Sequence, residues 1–428
     1  MVIVFSDELL AKSHTANTVS PIWFRSLDGG DIYNGIGAER AAGKTAGSIF
    51  VSCDSKNIDV TQFGKPQDKV RIIAAPKSAC SDSSVFNPAE YIGSWTLDGY
   101  IKKNGNWQKA EVMRVPAKYE MFSPERGLFE SSLLTDKCVF IIGQGSGGSP
   151  IDVELAKLGI SKFIILDHDR LEVGNVVRHQ AGLSDLGRLK TEVMKDKILD
   201  INPYADVVTC SEKITADNKH MAKDFISKSD IVINAADGYE AKIIVNQLCV
   251  KLNKPLIMAG AFRRAYGGQV LFVEPNRSPC YQCFLNANSA MTGDIEISNQ
   301  QQASSVAYSD RPVAAEPGLS NNITPICQMA VELTLTYLLR DKDTTLKSVN
   351  EDLIAHWYLW LNRREPGTNY ENLAPMGFGF GEISIMRWYG LPMDRDPACP
   401  CCGDFVGSMA KKENFEIEKE DKDYFAQC

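Results

Sequence analysis

Val139-Phe140-Ile141-Ile142-Gly143-Gln144-Gly145-Ser146-Gly147-Gly148 is the stretch that decides the fold. Its four apolar residues form the short continuous run of a strand buried on both faces. The glycines that follow satisfy G-x-G-x-x-G, and from Ile151 to Leu158 the apolar residues recur at helical spacing. In a strand-turn-helix context, glycines let backbone N–H groups approach a phosphate at the helix N-terminus, where the dipole also favours negative charge. Outward from this stretch, Lys162 to Leu166 reads as a second buried strand and Lys190 to Ile201 as a helix ended by Asn202-Pro203. Asp230 to Asn234 reads as a strand, Tyr239 to Leu252 as a helix, Pro255 to Ala259 as a strand, and Gln269 to Val273 as an antiparallel addition. Strands alternating with helices imply right-handed crossovers, hence an α/β, Rossmann-like, mostly parallel sheet with flanking helices.

Residues 1–120 have another texture. Short β-branched runs (Ser48 to Ser52, Lys69 to Ala74, Glu111 to Val115) alternate with Gly, Ser, Asp and Asn clusters, which predicts a separate β-rich or α+β module. Residues 285–322 are polar, with Pro312 and Pro317, and read as a long crossover loop of the kind that is usually functional. Pro325 to Leu339 reads as a buried apolar helix, and the charge-dense stretch from Lys411 to Lys422 as mobile. There is no internal repeat.

At 428 residues, 44% hydrophobic and 23% charged, the chain has material for two or three domains, and disorder is excluded as a description of the whole. A net charge of -8 gives no global field toward nucleic acid or anionic membrane. The longest apolar runs fall far short of the ~20 residues that span a bilayer. The N-terminus lacks a basic n-region, so a cytoplasmic location is expected. The 12 cysteines then read as thiols or metal ligands before disulfides.

Asp167 ends the second strand about 20 residues after the glycine motif, which suits a carboxylate accepting from ribose hydroxyls. That pair fits NAD as well as ATP. A pyrophosphate is commonly held by backbone amides, whereas a triphosphate needs cations close by. Arg178 and Lys190 can supply them. Asp237, just past a strand in Asn234-Ala235-Ala236-Asp237-Gly238, lies where ligands of open α/β sheets bind and can hold Mg²⁺. Taken singly, each of these charges reads more readily as an ordinary solvated side chain; it is their joint order that points to a nucleotide.

Cys280-Tyr281-Gln282-Cys283 and Cys399-Pro400-Cys401-Cys402 are two C-x-x-C pairs, each able to place two thiolates on one tetrahedral Zn²⁺. Closing the long loop between them costs about 4 kcal/mol plus a constant. Structural zinc sites offer on the order of 10–16 kcal/mol. Cys280, Cys283, Cys399 and Cys402 are therefore expected to form a structural site, with Cys401 as surplus thiol; redox pairs are the competing reading.

The spacing Gly-x-Gly-x-x-Gly, Asp, Asn-x-x-Arg, Lys, Asp resembles the superfamily of ThiF/MoeB adenylyltransferases and ubiquitin-activating enzymes, over roughly residues 121–403. The resemblance implies an ATP-dependent adenylation domain over 121–428. Within it Gly143, Gly145 and Gly148 shape the turn, Asp167 binds the ribose, Asn175, Arg178 and Lys190 the phosphates, and Asp237 Mg²⁺. It also implies a tetracysteine zinc, a homodimer, and an arginine offered to the neighbouring subunit's nucleotide, for which Arg126 is the nearest match. Family members usually carry a branched residue or leucine inside the glycine motif, where this chain has Ser146 and Gly147. Conjugating members use a cysteine in the crossover loop. Here Ser304 to Asn322 has none, and Ala314 and Ala315 lie about where it would be sought. Cys327 reads as a buried small hydrophobe.

With its extra N-terminal module, read as recognising a partner, the chain looks most like bacterial ubiquitin-like conjugation enzymes, including those of antiphage operons. The expected acceptor is a ubiquitin-like protein with a C-terminal glycine, followed by a conjugating enzyme. A sulfur-carrier protein or peptide is the alternative acceptor. An NAD-binding oxidoreductase or an inactive Rossmann scaffold is the reading from another class.

Overall fold

The computed structural model describes residues 1–7, 9, 18–36, 38, 43–52, 58–76, 95–115, 121–122, 127–129, 131–287, 318–377, 381–404 and 408. Two compact units divide the chain, Met1–Pro124 and Glu125–Cys428.

The first unit is a closed β-barrel. Its strands are β1 (Val2–Ser6), β2 (Thr18–Leu27), β3 (Ile32–Asn34), β4 (Thr45–Val51), β5 (Val70–Pro76), β6 (Trp95–Lys103) and β7 (Asn106–Val115), in the spatial order β1-β3-β2-β4-β5-β6-β7. β1 pairs in parallel with both β3 and β7, which closes the ring. Alternation along the strands sends Ile3, Phe5, Ile22, Phe24, Ile49, Ile72 and Ile101 inward to a common core.

The second unit is an α/β domain around an eight-stranded mixed sheet: β8 (Cys138–Ile142), β9 (Lys162–Leu166), β10 (Asp206–Cys210), β11 (Ile231–Asn234), β12 (Leu256–Ala261), β13 (Gly267–Val273), β14 (Trp357–Leu361) and β15 (Arg387–Leu391). The order is β10-β9-β8-β11-β12-β13-β14-β15. The five strands from β10 to β12 pair in parallel. β13, as expected, is antiparallel, and β14 and β15 extend the antiparallel side, so the sheet is mixed, with four of its seven pairings parallel. Only β12 and β13 are joined by a short hairpin-like return, which needs no helical crossover; β14 and β15 reach this side of the sheet after longer connections.

Helices cover both faces. On one side lie α1 (Gly148–Lys157), α3 (Lys190–Ile201) and α7 (Ser320–Leu339); on the other lie α4 (Lys219–Lys228), α5 (Tyr239–Lys251) and α6 (Tyr281–Ala287). α2 (Val173–Val176) and α8 (Lys347–Asp352) are short connectors. β8 shows why its sequence is apolar throughout: Val139 and Ile141 enter the core under α1, α3 and α7, while Phe140 and Ile142 enter the opposite one. α7 starts five residues before Pro325, so the proline sits inside the helix near its N-terminal end, where only one intrahelical bond is forgone. The crossover stretch 285–322 begins and ends in helix; its middle, residues 288–317, lies outside the described residues, as does the stretch from Lys411 to Lys422. No helix among the described residues is long and apolar enough to cross a membrane.

Candidate nucleotide site and cysteine cluster

From β8 the chain runs on one side to β9 and β10, while β11 and β12 lie on the other. The strand order reverses between β8 and β11, and ligands of open α/β sheets bind in the crevice outside the carboxyl ends at such a point. A cleft of about 480 Å³ lies there. Gly143, Gly145, Ser146 and Gly147 line it after β8, Asp167 and Asp169 after β9, Ala235 to Gly238 after β11. Arg178, Lys190 and Asp237 line the same cleft, so the three charges singled out by sequence are brought together.

The glycines explain the closeness of the walls. Gly143 has φ +86, and a Cβ there would lie 2.8 Å from the Ala236 backbone. A Cβ at Gly148 would overlap the carbonyl oxygen of Gly143, so Gly148 packs the turn without lining the cleft. Gly145 faces open space.

Asp167 is buried. Its Oδ2 accepts from the Gln144 N–H at 2.6 Å and its Oδ1 from the Asp169 N–H at 2.8 Å, fastening the β9 loop to the glycine turn. Lys190, at the start of α3, is 7% exposed and donates from Nζ to Asp169 Oδ2 at 2.8 Å. Burial pushes the Asp169 carboxyl up, but the Lys190 ammonium outweighs this and the net shift is downward. His179 is buried and its pKa is lowered by that burial, with its Nε2 2.6 Å from the Gln144 carbonyl oxygen.

Asn175 sits in α2. It is not among the residues lining the cleft, and its Oδ1 accepts from the Glu172 N–H at 3.0 Å, closing a capping box on α2. Arg126, Ala314 and Ala315 lie outside the described residues. Sequence reasoning passed over Asp169, Lys213 and Arg264, which also line the cleft. Asp169 was legible as the second carboxylate of Asp167-His168-Asp169; Arg264, at φ +56 in the turn between β12 and β13, carried no sequence signal. Cys327 is buried against the cleft with its thiol 3.3 Å from the Gly147 carbonyl oxygen, and burial pushes it up to about 12. It is a packed thiol, not a thiolate.

At the start of α6, Cys280 and Cys283 meet Cys399 and Cys402. The sulfurs are 4.0 Å apart for Cys280–Cys283, 3.7 Å for Cys280–Cys399 and 3.4 Å for Cys283–Cys402. An ion about 2.3 Å from four tetrahedral sulfurs sets them about 3.8 Å apart, so the donor set fits zinc. The Cys401 N–H donates to Cys399 Sγ at 3.4 Å, while the Cys401 thiol accepts from Asn246 at 3.2 Å and stays outside the group of four. Hydrogen bonds from the neighbouring thiols, Cys280 first, hold the Cys399 thiol well below its ordinary range.

Fold and cleft together define an α/β protein with a glycine turn at the switch point of its sheet. The ThiF family model matches residues 125–366, more than half of the chain, and the chain belongs to the ThiF family. Ubiquitin-like modifier-activating enzyme 5 of Caenorhabditis briggsae is 30% identical over 163 residues, 35% of this chain and 37% of that protein. The sulfur carrier protein ThiS adenylyltransferase of Escherichia coli is 30% identical over 157 residues, 36% of this chain and 61% of that protein. Adenylyltransferase and sulfurtransferase MOCS3 of Aedes aegypti is 32% identical over 193 residues, 44% and 43% of the two chains. The chain thus spans less than two thirds of the length of each of these relatives. Among solved structures, E. coli MccB with ATP is similar at 19% identity and a TM-score of 0.45, covering 64% of this chain and 68% of that one.

Proposed function

We propose that this chain activates the C-terminal carboxylate of a small carrier protein or peptide by ATP-dependent adenylation. The observation that carries the reading is the convergence of the glycine turn, Arg178, Lys190 and Asp237 on one cleft. Two cations beside a glycine turn suit a triphosphate better than the bridging pyrophosphate of a dinucleotide. In this reading the acceptor carboxylate oxygen forms a bond to the α-phosphorus as the bond to the bridging oxygen breaks, and pyrophosphate leaves with that electron pair. Arg178 and Lys190 hold the phosphates in line and offset their charge; Asp167 receives the ribose hydroxyls. The carboxylate of Asp237, on the same edge of the sheet, would hold Mg²⁺, which adds charge neutralisation when bound.

No side-chain nucleophile is needed, and the buried, protonated Cys327 is consistent with that. The relatives include activators both of ubiquitin-like modifiers and of sulfur carriers, and a protein acceptor is the reading common to them. A ubiquitin-like protein ending in glycine, passed on to a conjugating enzyme in bacterial antiphage defence, is the narrower version, motivated by the added barrel as a partner-recognition module. Homodimer formation with Arg126 reaching the second copy's nucleotide, a crossover loop over 285–322, and a cytoplasmic location belong to the same proposal.

ATP–pyrophosphate exchange with wild-type protein and added acceptors tests it. Exchange that depends on a sulfur carrier, a peptide or a glycine-ended ubiquitin-like protein supports adenylation and names the acceptor; NAD binding without exchange for any acceptor overturns it. Restoring cysteine at Ala314 or Ala315 and finding a thiol-sensitive acceptor adduct would add the conjugating step.

A further inference from the structure

The residue immediately after Arg178 carries a role that the phosphate-binding scheme leaves out. His179 is 8% exposed, and its Nε2 donates to the Gln144 carbonyl oxygen at 2.6 Å. Its Nδ1 accepts from the Ala181 N–H at 3.0 Å. A backbone donor on Nδ1 leaves only Nε2 to carry the proton, so the ring is neutral and its tautomer is set. Gln144 belongs to the glycine turn, and its N–H in turn donates to Asp167. One residue of the turn therefore uses its main-chain N–H on the β9 loop and its carbonyl on the segment bearing Arg178. Beside it, the Gln180 N–H donates to Ser149 Oγ at 3.3 Å, a second tie between that segment and α1. On the other side of the arginine, the Arg178 N–H donates to the Asn175 carbonyl at 2.9 Å. The main chain of Arg178 is thus held from both directions, and toward the turn the imidazole is the principal tie.

We propose that His179 is a positioning residue: by bridging Gln144 and Ala181 it sets where the Arg178 guanidinium enters the cleft, and so sets the affinity for a triphosphate. The ring itself touches no reacting group. This inference rests on the nucleotide reading above.

The test is calorimetric titration of ATP with Mg²⁺ into the full chain, comparing wild type, His179→Ala, His179→Gln, His179→Asn, Arg178→Ala and the double variant His179→Ala/Arg178→Ala, with a melting temperature for each. His179→Ala should weaken ATP at least tenfold. His179→Gln, whose terminal amide N–H can reach the Gln144 carbonyl, should recover affinity to within threefold of wild type, and His179→Asn should not. In the Arg178→Ala background, loss of the imidazole should add less than twofold, because the side chain it positions is gone. Equal losses in both backgrounds, or wild-type affinity in His179→Ala, overturn the inference. Should His179→Ala fail to fold, equal affinities of the Gln and Asn variants overturn it. A wild-type chain that binds no nucleotide overturns the adenylation reading and this inference together, whereas tight wild-type binding with indifferent His179 variants overturns this inference alone.

Discussion

Lys190 Nζ lies 2.8 Å from Asp169 Oδ2, with the lysine side chain 9% exposed and its carboxylate partner 51% exposed. The ammonium is held in the cleft wall by a group that water already reaches, so an arriving phosphate meets an oriented charge. Lys190→Ala should lower kcat/KM for ATP–pyrophosphate exchange about 100-fold, roughly 2.7 kcal/mol of lost stabilisation where charge develops. Asp169→Asn should lose less than tenfold, because the phosphate itself takes over the lysine. Equal losses in exchange kinetics would mean that the pair only holds the fold.

The glycine turn separates steric from ligand roles. Gly148→Ala forces a methyl into the Gly143 carbonyl and should lower the melting temperature by several degrees. Gly145→Ala meets nothing in the protein and should leave the melting temperature nearly unchanged while weakening nucleotide at least tenfold. Calorimetry for both variants checks this; a Gly145→Ala chain that binds ATP like wild type would remove that residue from the phosphate site.

Asp237→Ala should abolish exchange without changing the circular dichroism spectrum, since it removes an exposed carboxylate in the loop between β11 and α5. Retained exchange would mean that the cation site lies elsewhere on the sheet edge.

Burial pushes the Asp152 carboxyl in α1 well above the ordinary 3.8, and the Gln144 side chain offsets only part of this. A carboxyl whose folded pKa is raised binds more protons folded than unfolded, so the stability it lends is present at low pH and is lost progressively as pH rises above 3.8. Asp152→Asn, neutral throughout, should therefore raise the melting temperature by several degrees at pH 8 and by less at pH 5. Scanning calorimetry at the two pH values decides; a difference that does not vary with pH would contradict the assignment.

Zinc analysis of purified protein should give about one ion per chain, falling below a tenth in Cys280→Ser or Cys402→Ser and unchanged in Cys401→Ser, whose thiol bonds to Asn246 instead. Chelation should lower the melting temperature. Full metal content in Cys402→Ser would mean that Cys401 replaces it.

The parts legible in the sequence were those whose pattern is local. β8 and β9 read directly because their buried positions are apolar on both faces, with only Lys162 at the start of β9 exposed. α3 was bounded by Asn202-Pro203 at its end. β10 was not read, since its edge position lets Asp206 and Val208 face outward and erases the apolar run. β15 was missed because an irregular stretch separates it from β14, and only that pairing makes Arg387–Leu391 a strand. In the barrel three strands were legible, whereas β2 carries Pro21 and is fixed by partners distant in sequence. Within the cleft, Arg178, Lys190 and Asp237 were found by type and order. The task of Asn175 in capping α2 and the entry of Arg264 depend on backbone geometry that no spacing encodes.

The ring closure of β1 onto β7 leaves the barrel without a strand edge, whereas the eight-stranded sheet still ends on β15. A polypeptide cannot join the barrel by extending its hydrogen-bond ladder. If the first unit recognises a partner as proposed, contact would run through side chains and loops, such as Trp23 with the Lys44 ammonium 4.8 Å over its ring, and selectivity would then change residue by residue while the backbone stays as it is.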